Sequence, residues 1–365
     1  MSKSARILFI AVYLLVGIGV VMTYSASAVY AERTYHNSQY FLYRQLLFVV
    51  IGTLLLFATA SVPIAFWKKH ARTLLIGTIA LLAVVLLPGI GHSAGGAQRW
   101  LRLGSFHFQP SEFAKLATSL YLCDYLARKI KVIKKGSLAI FFPPLLLVMV
   151  VCALTVLQPD LGSCAFIFII SALLFFLAGI RLRYVMIASL MFLPVLYFLV
   201  IRVPYRLSRV TAYLNPWQDP QGSGFQMIQS FLAFGVGGIH GVGLGQSTQK
   251  LFYLPSAYND FILSIIGEEL GLVGVLGIML LFGLIFFCGI KMAGNSRHEY
   301  ERLLILSLTF LIVLQALVNM MVATGLVPTK GLPLPFVSYG GTSIVVNLMG
   351  VGLLMGMDHQ ARERR

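Results

Sequence analysis

The sequence predicts an all-α polytopic membrane protein with ten transmembrane helices, both termini cytoplasmic and a large external loop between helices 7 and 8. The first observation is composition: 58% of the 365 residues are hydrophobic and 11% charged, whereas soluble domains carry about 25% charged residues. The second is that apolar residues form runs near the ~20 residues a helix needs to cross the bilayer. The third is an unequal distribution of Lys and Arg between alternate loops. This composition excludes a disordered chain, a coiled coil and an ordinary soluble enzyme.

The predicted spans cover residues 7–24, 45–62, 73–87, 113–126, 138–157, 161–180, 184–200, 261–290, 303–326 and 342–357. The fourth is short and includes Lys115 and Asp124, and the tenth is also short. The first span has an alternative, a cleaved signal peptide, because Ser-Ala-Ser-Ala at 25–28 resembles a cleavage site. Its apolar stretch exceeds the usual ~7–15 residues of a signal peptide, so an uncleaved helix is favoured. The whole chain, 1–365, is expected to be one transmembrane domain.

Charge indicates how the helices are oriented. About two thirds of the 28 Lys and Arg residues fall in loops on one side, which is therefore predicted to be cytoplasmic. Most of the net charge of +16 thus reflects topology, and nucleic acid is not an expected partner. A smaller basic set faces outside and is suited to phosphate, because guanidinium groups bind phosphate oxygens in pairs. Its members in or near the long loop are Arg99, Arg102, Arg202, Arg206, Arg209 and Lys250.

The external loop 201–260 is too long for a simple connector. Within it, residues 222–234 have the pattern of a short amphipathic helix at the membrane surface, with Phe225, Ile228, Phe231 and Leu232 on one face. The glycine-rich segment 235–245 follows. No strand precedes it, so a dinucleotide site is excluded, and close packing of the backbone or approach to a ligand is expected.

The four cysteines lie singly in apolar runs, at Cys123, Cys152, Cys164 and Cys288. None belongs to a pair with metal-ligand spacing, and no histidine is clustered beside them. We expect all four to be packing residues, without a disulfide framework or a zinc site.

Acidic residues are scarce, 12 in all, and a charge at the centre of a membrane helix costs about 2.5–3.5 kcal/mol on insertion scales. Those in or beside spans are therefore functional candidates. Glu112 and Lys115 are three residues apart and can face each other near a helix start at Pro110. They either form a buried ion pair that sets helix register or line an external cavity. Asp160 either caps the next span or lies in the same cavity.

Asp260 begins the eighth span at the external boundary and has two interpretations. It is a helix N-cap, or it is a general base whose pKa is raised by partial burial. Glu268 and Glu269 lie about two turns further into the span. They point to different faces of the helix, and pairing with a polar group is expected for whichever faces the bundle. Trp100 is either a membrane anchor or a surface on which a sugar packs.

An ordered set of motifs extends over nearly the whole chain. They are GGAQRW at 95–100, QPSE at 109–112, QPDLG at 158–162, GVGLG at 241–245, GEELG at 267–271 and PLPFVSYGG at 333–341. With these motifs the sequence resembles the SEDS family (shape, elongation, division and sporulation), whose members are FtsW, RodA and SpoVE. The segments 238–255 and 329–331 resemble FtsW more than RodA. One departure is Tyr258-Asn259, where many members have His-Thr.

The resemblance implies a peptidoglycan glycosyltransferase that polymerises lipid II at the outer face of the bacterial cytoplasmic membrane, for septal wall synthesis. It implies that Asp260 is catalytic, with Arg99, Trp100, Glu112, Lys115, Asp160, Arg202, Arg206, Arg209 and Lys250 as substrate-binding candidates. A divalent cation, Mg²⁺ or Mn²⁺, held partly by Asp260 is a further expectation. Expected partners are lipid II, a class B penicillin-binding protein, other divisome proteins and membrane lipid. The alternatives are a lipid II flippase or other transporter, a RodA-type elongation polymerase, and a scaffold without chemistry.

Overall fold

A computed structural model of the chain describes residues 2–94, 97–104, 106–134 and 140–363. The first two residues of the predicted span 138–157 and the first two of the motif 95–100 lie outside these ranges. The α-helices in the described ranges are α1 Lys3–Tyr35, α2 Tyr40–Ser61, α3 Ile64–Val85, α4 Pro110–Lys134, α5 Phe142–Leu157, α6 Leu161–Leu177, α7 Leu182–Ile201, α8 Pro204–Leu214, α9 Phe225–Gly237, α10 Ile262–Gly294, α11 Glu299–Ala323 and α12 Gly341–Glu363.

Each predicted span coincides with one of these helices, and the remaining two, α8 and α9, lie in the external loop. Of the helices in the described ranges, six are long and apolar enough to cross a membrane, namely α1, α2, α7, α10, α11 and α12. The helices α5 and α6 are shorter, with 16 and 17 residues, and α3 and α4 carry several charges. The six long helices alone make this a multi-pass membrane protein.

Several helices extend beyond their predicted spans, α1 and α4 among them. Helix α1 continues through residues 25–28, where the sequence resembles a signal-peptide cleavage site. Helix α4 begins at Pro110 and continues to Lys134, because the charges that suggested an early end are accommodated within it. Asp124 forms an ion pair of 2.6 Å with Arg128 one turn later.

A small antiparallel sheet is the exception to the all-helical prediction. Its strands are β1 Gly91–Ala94, β2 Ala97–Leu103 and β3 Phe106–Phe108, in the order β1-β2-β3. The sheet lies between α3 and α4 and contacts both, and β3 also contacts α12. Short strands without clear alternation of apolar and polar residues give a weak sequence signal. The sheet matters here because β2 carries Arg99 and Trp100.

Helix α10 is broken at Gly271, whose φ of 66° and ψ of −164° are not helical. The glycine-rich segment lies against this break. The N–H of Val242 donates to the carbonyl of Glu268 at 2.9 Å, and the N–H of Leu272 donates to that of Gly238 at 2.9 Å. The prediction of close backbone packing is therefore confirmed. Peptide groups freed by a break in a membrane helix need such partners, because lipid offers none.

The segment predicted as a short amphipathic helix is observed as α9, and its apolar face is only partly packed on the protein. Leu232, expected on the apolar face, is 46% exposed. Ser230 is buried instead, and its Oγ lies 2.6 Å from Ser264 Oγ and donates to the carbonyl of Ala323 at 2.6 Å. The helix packs on α10 and α11. Large apolar residues can face lipid, so in this environment they do not mark the inner face. The four cysteines are buried and unpaired, as expected.

Candidate functional site

Asp260 lies at the end of the external loop, immediately before α10. The helix begins at Ile262 and its N-cap residue is Phe261, which makes no side-chain cap. The N-cap interpretation of Asp260 is therefore wrong, because the carboxylate lies outside the first turn and leaves the helix N–H groups without it. Its side chain is half-buried at the mouth of the helix bundle.

The backbone of Asp260 is held firmly. The three successive carbonyls of residues 258–260 each accept a hydrogen bond from a different donor. The donors are the backbone N–H of Tyr339 at 3.0 Å, Oγ of Ser338 at 2.6 Å and Nδ2 of Asn319 at 2.9 Å, respectively. All three come from α11 or from the segment between α11 and α12, so this later part of the chain fixes the peptide that carries the carboxylate.

The segment before α12 is fixed from the same helix. Asn319 donates a second hydrogen bond, to the carbonyl of Leu332 at 2.9 Å, and Gln315 donates to that of Pro333 at 2.9 Å. Gly331 lies directly against the acidic group: a β-carbon there would approach Oδ2 of Asp260 to 3.3 Å. The absence of a side chain at this position lets the two segments meet.

Burial and the neighbouring arginines together set the pKa of Asp260. Burial raises the pKa of Asp260 to about 6, although Arg209 and Arg99 act in the opposite direction. Arg209 is steadied by donating from Nη1 to the carbonyl of Thr329 at 3.3 Å. Arg206 joins this group, since its pKa is lowered by burial and by the charge of Arg99. The structure thus brings Arg209 and Arg99 of the predicted basic set close to the carboxylate, with Arg206 close to Arg99.

Lys330 is a site residue that the sequence reasoning missed. It directly precedes Gly331, and desolvation by the surrounding protein lowers the pKa of its ammonium, although the residue as a whole is exposed. The available signal was a basic residue on the external side, within the motif at 329–331. Asn319 was missed because the search of the spans considered only charged residues.

Lys250 points away from Asp260. Its Nζ lies 2.9 Å from Oε1 of Glu269 in a buried ion pair, and Ser25 of α1 donates to the same carboxylate at 2.7 Å. Glu268 accepts from the backbone N–H of Thr248 at 2.9 Å and from its Oγ1 at 2.8 Å. The expectation that the two glutamates pair with polar groups is confirmed. Together they fasten the end of the external loop to α10, beside its break.

Glu112 and Lys115 form the predicted pair, 2.8 Å apart, with side chains only 3% and 1% exposed. Lys115 also donates to Oε1 of Gln315 at 2.7 Å. The pair therefore lies beneath the segment before α12, which Gln315 holds, and the buried-ion-pair interpretation is supported. Its distance from solvent leaves it a supporting role under Asp260.

Asp160 is the N-cap of α6, as one of its two interpretations predicted. Its Oδ1 accepts from the N–H of Ser163 at 3.1 Å. Its Oδ2 accepts from Oγ of Ser163 at 2.8 Å, from Ser111 at 3.1 Å and from Gln109 at 3.2 Å. The buried carboxylate is thereby saturated, and it joins the start of α4 to the start of α6.

The remaining candidates lie at the edge of the site. Trp100 is half-buried on β2 and Arg202 is exposed at the end of α7. Arg102 is also exposed, and its Nε donates to the carbonyl of Gly104 at 3.2 Å. Among the residues the structure describes, no group of three or more His, Cys, Asp or Glu side chains could hold a metal ion.

Comparison with known proteins is consistent with this geometry. The sequence model of the FtsW, RodA and SpoVE family, described as cell cycle protein, matches residues 5–363. A probable peptidoglycan glycosyltransferase FtsW from Geobacter sulfurreducens is 45% identical over 339 residues, which are 93% of this chain and 91% of that protein. Stage V sporulation protein E of Bacillus subtilis is 40% identical over 356 residues, covering 98% of this chain and 97% of that protein.

The fold also has a solved counterpart. A chain from a peptidoglycan synthase complex, described as coordinating polymerization and crosslinking, superposes with a TM-score of 0.78 at 30% identity. The match covers 97% of both chains. The similarity therefore includes the external loop, the segment before α12 and the helices that hold them.

Proposed function

The chain belongs to the FtsW, RodA and SpoVE family, and on that premise we propose that it is a peptidoglycan glycosyltransferase that polymerises lipid II into glycan strands. The observation that carries this proposal is Asp260, a half-buried carboxylate with a pKa of about 6 beside Arg209 and Arg99. A general base works best when its pKa lies near the working pH. A diphosphate leaving group requires nearby positive charge. Asp260 and the two arginines bring a suitable base and positive charge together in one site.

The proposed placement is the bacterial cytoplasmic membrane, with ten spans, both termini inside and Asp260 facing the exterior. The shorter or more charged helices α3–α6 complete the ten spans. Support comes from the basic loops on the opposite side and from the closeness of Arg209 of α8 and Arg99 of β2 to Asp260. In this arrangement the chain acts as a single transmembrane domain, with the lipid tail in the bilayer and the sugars outside.

In the proposed reaction, the Asp260 carboxylate removes the proton from the 4-hydroxyl of an acceptor GlcNAc. That oxygen attacks the anomeric carbon of the donor MurNAc, and the bond to undecaprenyl diphosphate breaks. A positioned base contributes about 10²–10⁴-fold to the rate. Arg209, Arg206 and Arg99 are placed to stabilise the departing diphosphate, and Nε of Arg99 has no hydrogen-bond partner among the described residues. Lys330 adds a further cation beside Gly331.

In this proposal a divalent cation would bind only together with the substrate. Mg²⁺ binds readily through one or two carboxylates together with substrate phosphates. The described residues include no group of three or more acidic, histidine or cysteine side chains that could hold a metal ion. A cation would thus be shared between Asp260 and the diphosphate of lipid II, and the arginines supply the charge that the chain itself can offer.

Septal wall synthesis is the proposed setting, because the FtsW relative is 45% identical and the sporulation protein 40%. An elongation role of the RodA type is the alternative within the family. The chain is proposed to work with a class B penicillin-binding protein, which supplies crosslinking, and with other division proteins. The related chain in a synthase complex supports a partner of this kind.

The test is polymerisation of purified lipid II by the detergent-solubilised protein, alone and with its penicillin-binding protein. Asp260→Asn should make no glycan, whereas Asp219→Asn, which alters an exposed aspartate of the same loop, should match wild type. Detergent abolishes transport but permits polymerisation, so a wild-type protein that is inactive even with its partner would favour the flippase. Near wild-type activity of Asp260→Asn would overturn the role of the base. A scaffold predicts that Asp260→Asn is harmless in cells.

A further inference from the structure

Asn319 is uncharged, but burying its polar amide in an apolar helix has a desolvation cost. It lies on α11, one of the long apolar helices, and only 1% of it is exposed. Burying an amide away from water costs about 1–3 kcal/mol unless hydrogen bonds replace those lost. Its Nδ2 makes two, both at 2.9 Å, to the carbonyls of Asp260 and Leu332. Both N–H groups of the amide are therefore used on backbone atoms of the site.

These two carbonyls belong to chain segments that are far apart in the sequence. One segment carries the carboxylate of Asp260. The other carries Lys330 and Gly331, and Gly331 lies against that carboxylate. The two N–H groups of a planar amide diverge at a fixed angle. The Asn319 side chain thus bridges the peptide of Asp260 and the neighbouring cationic segment directly.

We infer that Asn319 is a positioning residue for the proposed base, holding the Asp260 peptide and the 330–332 segment in one geometry. The inference rests on the proposed function. Loss of the amide frees the carbonyls of Asp260 and Leu332, while every side chain proposed to touch substrate is retained. A misplacement of about 1 Å at a reacting group can lower a rate by about 10²-fold.

Loss of the Asn319 amide should also change the pKa of Asp260. The pKa of Asp260 is raised because protein surrounds its carboxylate. A loosened peptide lets water reach this group, so its pKa falls towards the ordinary aspartate range near 4. A residue that only stabilised the fold would reduce the amount of active protein and leave the pH dependence of the remaining activity unchanged.

The test compares Asn319→Leu with Asn347→Leu by lipid II polymerisation across pH. Asn347 is a matched control, because it is also a buried amide, donating from Nδ2 to the carbonyl of Ser343 at 2.8 Å within its own helix. In Asn319→Leu, kcat should fall at least 10-fold with KM within about threefold, and the acid limb should shift to lower pH. Asn347→Leu should keep the wild-type acid limb and the wild-type kcat per folded molecule.

Asn319→Ser, which is milder and retains one hydroxyl donor, carries the same test if Asn319→Leu does not accumulate in folded form. An unchanged acid limb, with activity in proportion to folded protein, would overturn the inference and leave the proposed function intact. A wild-type protein without polymerase activity, alone and with its partner, would overturn both. Folded protein is measured by size-exclusion chromatography of each variant.

Discussion

Lys250 Nζ lies 2.9 Å from Glu269 Oε1, in a pair whose side chains are 8% and 0% exposed. This contact fastens the end of the external loop to α10. Lys250→Met leaves the carboxylate buried and unpaired, and removal of one partner of a buried pair typically costs about 3–5 kcal/mol. We expect a clear fall in the thermal denaturation midpoint of the detergent-solubilised protein.

Arg302→Gln is the control for that prediction, because Arg302 and Glu299 form an ion pair of 3.0 Å at the surface. Exposed pairs contribute about 0–1 kcal/mol, so its midpoint should stay near wild type. Adding Glu269→Gln to Lys250→Met removes the buried charge and should recover part of the loss. Equal midpoints for Lys250→Met and Arg302→Gln would contradict the buried pair.

Arg209 should tune the acid limb of the pH profile. Polymerisation should rise with pH through about 6, where Asp260 loses its proton. Arg209 favours the ionised carboxylate. Arg209→Gln should therefore raise the pKa of Asp260 and move the acid limb to higher pH, while KM for lipid II increases. Arg202→Gln, at an exposed position, should leave the limb in place. A shift to lower pH in Arg209→Gln would refute the electrostatic assignment.

Gly271 is required by the shape of the break in α10. Its φ of 66° and ψ of −164° lie in a region essentially restricted to glycine, and a β-carbon would collide with Ile239 O and Gly241 N. Gly271→Ala should sharply reduce the yield of folded protein. Gly277→Ala, in the same helix with open space around it, should be neutral or stabilising by about 0.5–1 kcal/mol. Similar yields of the two variants would show that the break is dispensable.

Metal dependence gives a separate prediction. If a divalent cation is shared by Asp260 and the diphosphate, a chelator should lower the polymerisation rate and Mg²⁺ or Mn²⁺ should restore it. The cation should not affect stability without lipid II, because the described residues include no metal-binding group of three or more candidate ligands. A denaturation midpoint that rises with Mg²⁺ in the absence of substrate would point to a site formed by protein alone.

Hydrophobic runs and charge patterns predicted the positions of the helices well, because both follow from the physics of the bilayer. Local sequence rules also identified the cap at Asp160 and the pair of Glu112 with Lys115, since each is formed by residues close in the chain. The cap at Asp260 was predicted by the same rules and is wrong. Its peptide is held instead by Asn319 and Ser338, whose partners are distant in sequence.

The role of Lys250 also depends on a contact between residues that are not neighbours in the chain. Sequence places it in an external basic set, and only the fold shows that Glu269 neutralises it. The helix α9 was predicted from its apolar face, but the pattern does not tell whether an apolar residue meets lipid or the protein interior. Spacing along a helix cannot separate these two environments when both are apolar. Lys330 and Gly331 enter the site only because the chain returns to Asp260 before α12.

The anchoring of residues 258–260 has a consequence for the order in which the protein is made. All three donors to these carbonyls, on Asn319, Ser338 and Tyr339, lie later in the chain. During synthesis, α10 can enter the membrane while the peptide of Asp260 still lacks its partners. The Asp260 peptide therefore reaches its final place only after the chain through Tyr339 has been made, and a shorter chain carries the acid without these partners.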